Sequence, residues 1–138
     1  MKVPFEGGCA CKLIRYVCTA EPLLMAHCHC RDCQYSSGTG HSSVLVVPLS
    51  EVSITGEPKY FESKAAAGKI VRRGFCPMCG TPIFSMNEAY NDIIGIKAAT
   101  LDHPSEFQPV VDAWMCRALS WDAIDSETYK FERDIEAP

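Results

Sequence analysis

Apolar residues along the chain do not repeat at the helical interval over any stretch of about a dozen residues. Short apolar or alternating runs bounded by Gly, Pro, Ser and Asn recur instead from end to end. The pattern predicts a mainly β domain with strands at Leu13–Cys18, Val44–Val47, Val52–Thr55, Lys59–Glu62, Ile70–Phe75, Ile83–Ser85, Ile93–Ala98 and Val110–Trp114. One short helical turn is expected at Arg31–Ser36, where Asp32 suits the first turn and Gly38 and Gly40 follow as C-terminal punctuation. Ser63–Lys69 superficially resembles a phosphate loop, but Ser63 stands where the first glycine belongs and Ile70 where Ser or Thr is required. A turn between strands is the better reading. The tail from Ser120 to Pro138 is charged and mixed, and no pattern assigns it.

With 138 residues, no internal repeat and no long linker, the chain reads as one domain spanning 1–138. Hydrophobic residues at 47% and charged residues at 22% are ordinary for a globular protein, so a core forms and disorder is disfavoured. A formal charge of −4 and a pI near 5.5 set a repulsive field against a phosphate backbone, so nucleic acid is not an expected partner. The first residues lack the apolar core of a signal peptide, and the longest apolar run, Val44 to Leu49, is far too short for a bilayer. The expected setting is therefore cytoplasmic and reducing, with no membrane partner.

In a reducing compartment, nine cysteines change the picture, because clustered thiols there signal metal or catalysis rather than disulfides. Seven fall into three tight groups: Cys9-Ala10-Cys11, Cys28-His29-Cys30-Arg31-Asp32-Cys33, and Cys76-Pro77-Met78-Cys79. Thiolates one or two residues apart on a turn reach a shared ion, whereas a disulfide at that spacing is strained. Cys76 and Cys79 read as half of a zinc knuckle, and Cys9 and Cys11 can supply the other half, closing a four-thiolate structural zinc site. Cys28, Cys30 and Cys33 can hold a second zinc whose fourth position stays open, the arrangement of a catalytic centre, and zinc there would present a bound thiol as thiolate. His27 or His41 could instead close that site, His29 pointing away on an extended chain. Spacing alone also allows one of Cys9 or Cys11 to join the three-cysteine turn. Cys18 and Cys116 lie in apolar surroundings and are expected in the core.

The ordered groups Gly7-Gly8-Cys9-Ala10-Cys11 with Arg15-Tyr16, Cys28-His29-Cys30-Arg31-Asp32-Cys33 with Gly38, and Phe75-Cys76-Pro77-Met78-Cys79-Gly80-Thr81-Pro82-Ile83-Phe84 resemble the glutathione-dependent formaldehyde-activating enzymes. Centromere protein V is a eukaryotic relative of that family. Leu101-Asp102, Pro109, Trp114, Arg117 and Trp121 extend the similarity, which covers about residues 5–121 and leaves 122–138 as a charged tail. The resemblance implies a β-tent of small antiparallel sheets with one or two short helical turns. It implies a structural zinc on Cys9, Cys11, Cys76 and Cys79, and a labile zinc at a catalytic site of Cys28, Cys30 and Cys33. It also implies a carbon-sulfur lyase or synthase that condenses glutathione with formaldehyde to S-hydroxymethylglutathione. Lys12 departs from the family, which often has glycine there.

A basic contact for the carboxylates of glutathione is expected among Arg31, Arg72, Arg73 and Arg117. His27, His29 and His41 are candidate acids or bases, and Tyr35, Trp114 and Trp121 are candidate pocket residues, although large aromatics near strands more often build core. Two other readings compete. One is a non-catalytic zinc module that binds another protein. The other is a thiol redox enzyme like methionine sulfoxide reductase B, which generally uses two Cys-x-x-Cys pairs where this chain has Cys9-Ala10-Cys11.

Overall fold

The computed structural model describes residues 1–135. In chain order the strands are β1 (Phe5–Gly8), β2 (Arg15–Cys18), β3 (Leu24–Cys28), β4 (Ser42–Pro48), β5 (Val52–Thr55), β6 (Lys59–Lys64), β7 (Ile70–Phe75), β8 (Pro82–Asn87), β9 (Ile93–Lys97), β10 (Val111–Ala113) and β11 (Tyr129–Lys130). Among the described residues a single α-helix, α1 (Arg31–Ser37), follows β3, accompanied by several short 3-10 turns. The mainly β class expected from the pattern is what the chain adopts. Val52–Thr55 and Ile70–Phe75 form with the expected bounds, and the Ala65–Lys69 segment is the expected turn, closed by an Ala65 N–H donating to the Lys69 carbonyl at 2.8 Å.

Two sheets share the core. The smaller runs β1-β2-β5, and the larger runs β11-β10-β3-β4-β9-β8-β7-β6. Pairing is antiparallel except along β10, which is parallel to both β3 and β11. Three strands lie outside the expected set, β1, β3 and the tail strand β11. Phe5-Glu6-Gly7-Gly8 has only one good strand former, and Leu24-Met25-Ala26-His27-Cys28 has no β-branched residue. Tertiary pairing on both sides overrides that weak propensity in β3, which is flanked by β4 and β10. Part of the charged tail is also structured: β11 pairs with β10, and the Trp114 and Met115 N–H groups donate to the Arg133 and Phe131 carbonyls.

Phe5, Ile14, Tyr16 and Cys18 from the small sheet and its hairpin pack against Leu45, Val47, Ile83, Phe84, Ile94 and Ile96 from the large one. Cys9 and Cys76 border the same cluster. At its centre the Tyr16 and Phe84 rings meet edge-on at 5.6 Å. Gly7 bridges to Leu101, and the approach is so close that a Cβ on Gly7 would lie 2.3 Å from the Thr100 carbonyl oxygen. Thr100 Oγ1 donates to the Lys97 carbonyl at 2.7 Å, so the Tyr16 hydroxyl, 2.8 Å away, donates to Thr100. Arg15 on β2 clasps Asp102 from the following segment, Nη1 to Oδ1 at 2.9 Å.

Burial pushes the Tyr16 phenol up to about 12 from an ordinary 10.0. Below its unfolded pKa this group leaves stability independent of pH. As pH rises from about 10 to about 12 the unfolded tyrosine ionises and the folded one does not, so stability falls. Denaturant titrations of wild type and Tyr16→Phe across that range should show the steeper loss in wild type. At neutral pH the variant should cost about 1 kcal/mol for its single hydrogen bond.

Candidate functional site

The loop joining β1 to β2 carries Cys9 and Cys11, and the turn joining β7 to β8 carries Cys76 and Cys79; the fold brings all four sulfurs within 4.8 Å of one another. Cys11 Sγ lies 3.6 Å from Cys9 Sγ and 3.7 Å from Cys76 Sγ. The edge of a tetrahedron with metal–sulfur bonds of about 2.3 Å is about 3.8 Å, so the donor set has the size and chemistry of a zinc site. Backbone N–H groups address the sulfurs as such a site requires: Ile14 N to Cys9 at 3.3 Å and Met78 N to Cys76 at 3.4 Å. The two loops are stitched by Ala10 N–H donating to Thr81 Oγ1 at 3.1 Å. The Thr81 hydroxyl and its backbone N–H hold the Cys79 thiol down to about 5. Neither Cys9 nor Cys11 joins the three-cysteine turn, which removes the other pairing that spacing allowed.

Cys28, Cys30 and Cys33 form the second group, their sulfurs also within 4.8 Å of one another. Cys28 ends β3, Cys30 caps α1 by accepting from Cys33 N–H at 3.3 Å, and Cys33 sits in the first helical turn. Gly38 closes the helix in the left-handed conformation at φ 73, as the sequence punctuation suggests. The Cys30 and Cys33 sulfurs beside Cys28, together with burial, push that thiol far up, whereas hydrogen bonds from Cys28 and Cys33 hold Cys30 far down. Three sulfurs this close cannot all be thiolates without a cation among them, which fits a metal-binding turn.

No histidine joins this group. His27 and His41 stack on each other with ring centroids 4.3 Å apart, and His29 is fully buried against Asp112, all on the opposite side of the β3 end from the sulfurs. The closed four-ligand alternative through His27 or His41 is therefore not what the fold builds.

Beside the three-cysteine turn lies a cavity of about 260 Å³ lined by Ser36 of α1, Phe61, Arg73, Phe75, Gly80, Phe84 and Lys97, among others. Gly80 follows Cys79 in the knuckle, so the cavity wall touches that turn as well as α1. Of the four arginines considered, Arg73 enters the cavity wall, and its charge acts on Cys30. Arg72, its neighbour, points outward to Glu62 at 3.4 Å. Lys97, unforeseen from sequence, is largely buried: its ammonium donates to Ser36 and Ser42 hydroxyls, and its charge acts on all three thiols. A lysine ending the apolar run Ile93-Ile94-Gly95-Ile96 was the available signal. A second cavity of similar size, on the outer part of the large sheet beside Glu62, Arg72 and Glu88, borders neither cysteine group.

Other expectations resolve individually. Cys18 is core, fully buried, but Cys116 is exposed on a 3-10 turn, because the chain leaves the sheet after Ala113. Tyr35 and Trp121 are exposed at 77% and 66%, so neither lines the cavity. Trp114 is held by its Nε1 donating to Asp134 at 2.8 Å. Lys12 adopts φ 67, a left-handed conformation that explains why glycine suits this position.

A mainly β chain with a four-thiol cluster, a three-thiol turn and a cavity walled by Arg73 and Lys97 defines a cysteine-rich protein whose clustered thiols can hold metal. The family model described as glutathione-dependent formaldehyde-activating enzyme matches residues 4–117, and the chain belongs to that family. A crystal structure of a Rhodobacter sphaeroides protein is similar in fold, with a TM-score of 0.55 and 18% identity over 70% of this chain and 87% of the other. No curated protein matches the sequence. No helix among the described residues is long and apolar enough to cross a membrane.

Protein prepared anaerobically with zinc should hold on its cysteine groups one inert ion and one that a chelator removes with the fold intact. Cys76→Ser should destabilise the fold on the order of several kcal/mol, Cys30→Ser far less, as read by thermal melts with metal analysis. Lys12→Gly should relieve the left-handed strain and raise the urea midpoint slightly, by at most about 1 kcal/mol of stability.

Proposed function

We propose that the protein binds glutathione beside Cys28, Cys30 and Cys33 and joins its sulfur to the carbon of formaldehyde or a similar small aldehyde. The observation that carries this reading is the placement of Arg73 and Lys97 on a cavity flanked by the three-cysteine helix. Glutathione is a thiol with two carboxylates, and a cationic cavity beside a thiolate site matches both ends of such a molecule. Family membership supports the same substrates.

A zinc ion on the three thiolates would supply the Lewis acidity that keeps a substrate thiol deprotonated near neutral pH. Arg73 offers a planar fork for a carboxylate, with one branch anchored to Ser63 Oγ at 2.9 Å. Lys97, fixed between Ser36 and Ser42, contributes positive potential where sulfur anions gather. In the reaction the sulfur attacks the carbonyl carbon, a C–S bond forms, and the C=O π pair moves to oxygen. That oxygen takes up a proton equivalent to the one the thiol released. Holding thiol and aldehyde together in the cavity supplies the rest of the advantage. The reverse direction is a carbon-sulfur lyase.

The redox reading has less support, because the two cysteines outside the clusters lie apart in unlike settings, Cys18 fully buried in the core and Cys116 exposed on a 3-10 turn. The test is glutathione binding by zinc-loaded protein, followed by calorimetry and by exchange NMR of the adduct. Arg73→Ala should weaken glutathione roughly tenfold or more, the worth of a charge-assisted hydrogen bond, and should leave a thiol without carboxylates unaffected. Glutathione that leaves the spectra unchanged, or an adduct that forms at the same rate without protein, would sink the reading.

A further inference from the structure

Side chains along the end of β3 alternate, and the face opposite the thiols carries a polar cluster that the thiol chemistry does not use. The His29 ring is fully buried, with Nε2 2.6 Å from Asp112 Oδ1. The other oxygen of Asp112 accepts from the Thr128 hydroxyl. A carboxylate only accepts, so Nε2 of His29 carries a proton toward Asp112, and in the tautomer that this contact selects Nδ1 presents a lone pair. That nitrogen is buried and has no hydrogen-bond partner among the described residues. The group facing it is another acceptor, Asp122 Oδ2 at 3.6 Å. Two electron-pair donors turned toward each other without a hydrogen between them leave a place that a cation satisfies.

His41 completes the set. Its Nδ1 lies 2.6 Å from the same Asp122 oxygen, and the three donor atoms all fall within 4.8 Å of one another. With the His41 proton moved to Nε2, Nδ1 becomes the third donor. The surroundings hold the set in place. Gly40 abuts the Asp122 carboxylate so closely that a Cβ there would lie 2.4 Å from Oδ2. The Gln34 amide donates to the carbonyls of both His29 and Arg117 at 2.9 Å, fixing the backbone on either side. The set is reached from solvent through its outer members, since the His41 side chain is 19% and Asp122 9% exposed while His29 is at 0%.

We propose that His29 Nδ1, His41 Nδ1 and Asp122 Oδ2 form a metal site, separate from both cysteine groups, for a divalent first-row transition ion. Two imidazoles and one carboxylate favour such a borderline ion over calcium or magnesium, which prefer all-oxygen donors. Asp112 is the positioning residue, holding the His29 tautomer and ring orientation as outer-shell carboxylates do at imidazole–metal sites. The site shares a backbone with the thiol turn, because His29 lies between Cys28 and Cys30, yet it stands whether or not glutathione is the substrate.

The test uses full-length anaerobic protein whose cysteine groups already hold zinc, titrated with cobalt(II). A further equivalent should bind with weak visible bands and no sulfur-to-cobalt charge transfer, and the ring 15N resonances of His29 and His41 should change. Asp122→Asn and His41→Ala should each lower the affinity for this equivalent at least about tenfold while keeping both zinc ions, and Asp112→Asn should lower it by roughly ten- to a hundredfold. His41→Ala, at a partly exposed position, serves if Asp122→Asn fails to fold. The proposal is overturned if no further equivalent binds, if only charge-transfer bands appear, or if wild type and the folded variants bind it equally.

Discussion

The fixed orientation of β3 is the constraint on which both polar centres depend. It is hydrogen-bonded to β4 on one side and β10 on the other, so its residues cannot rotate about the strand axis. Alternation then sends Cys28 and Cys30 toward α1 and the cavity, and His27 and His29 toward Asp112 and Asp122. One short extended segment supplies two unlike sets of donors, soft sulfur on one face and imidazole on the other, without either set competing for the same ion. A shift of one residue in the pairing would exchange the faces and dismantle both at once.

The four-sulfur cluster acts at a different level, on the relation between the sheets. Cys9 and Cys11 belong to the hairpin of the small sheet, and Cys76 and Cys79 to a turn of the large one. Their convergence lies at the edge of the core formed by Tyr16 and Phe84, and the Gly7–Leu101 bridge and the Arg15–Asp102 pair join the small sheet to the segment after β9. The cavity wall touches the turn at Gly80 as well as α1, so the cavity's shape depends on how the sheets meet. That is why residues as distant in sequence as Ser36, Phe61, Arg73 and Lys97 share one wall.

What sequence made legible follows the range of each interaction. Cys-x-Cys and Cys-x-x-Cys spacings are local, and the groups they indicate are the groups that assemble. Runs with β-branched residues, such as Val52–Thr55 and Ile70–Phe75, declare themselves because side-chain shape and pairing agree. β3 does not declare itself, because its five residues favour a strand only once β4 and β10 are beside it. The same holds for the choice among arginines. Arg72 and Arg73 are indistinguishable in a string, and only the register Glu62↔Arg72 and Phe61↔Arg73 turns one to solvent and the other to the cavity. Alternation turns His29 away from the cysteines already in the string, whereas His27 and His41, which spacing offers as ligands, are drawn to its side only by the pairing of β3 with β4 and β10.

The histidine cluster also explains the charged tail. The family match ends at residue 117, whereas the partner of His41 is Asp122 and the second partner of Asp112 is Thr128, both beyond it. The route back is specified by the chain itself: Tyr129 N–H donates to the Val110 carbonyl and Phe131 N–H to the Asp112 carbonyl, which draws 129–131 along β10 and delivers Thr128 to the Asp112 carboxylate. Docking of the tail therefore completes the shell around a buried imidazole, in addition to covering an edge of the large sheet. Buried polar groups are costly unless satisfied, so a tail that satisfies Asp112 while giving His29 Nδ1 no proton donor among the described residues leaves an electron pair that a cation would accept. A merely structural tail would gain more by closing that gap with a hydroxyl or amide, which is the physical reason for reading the gap as a seat for a cation.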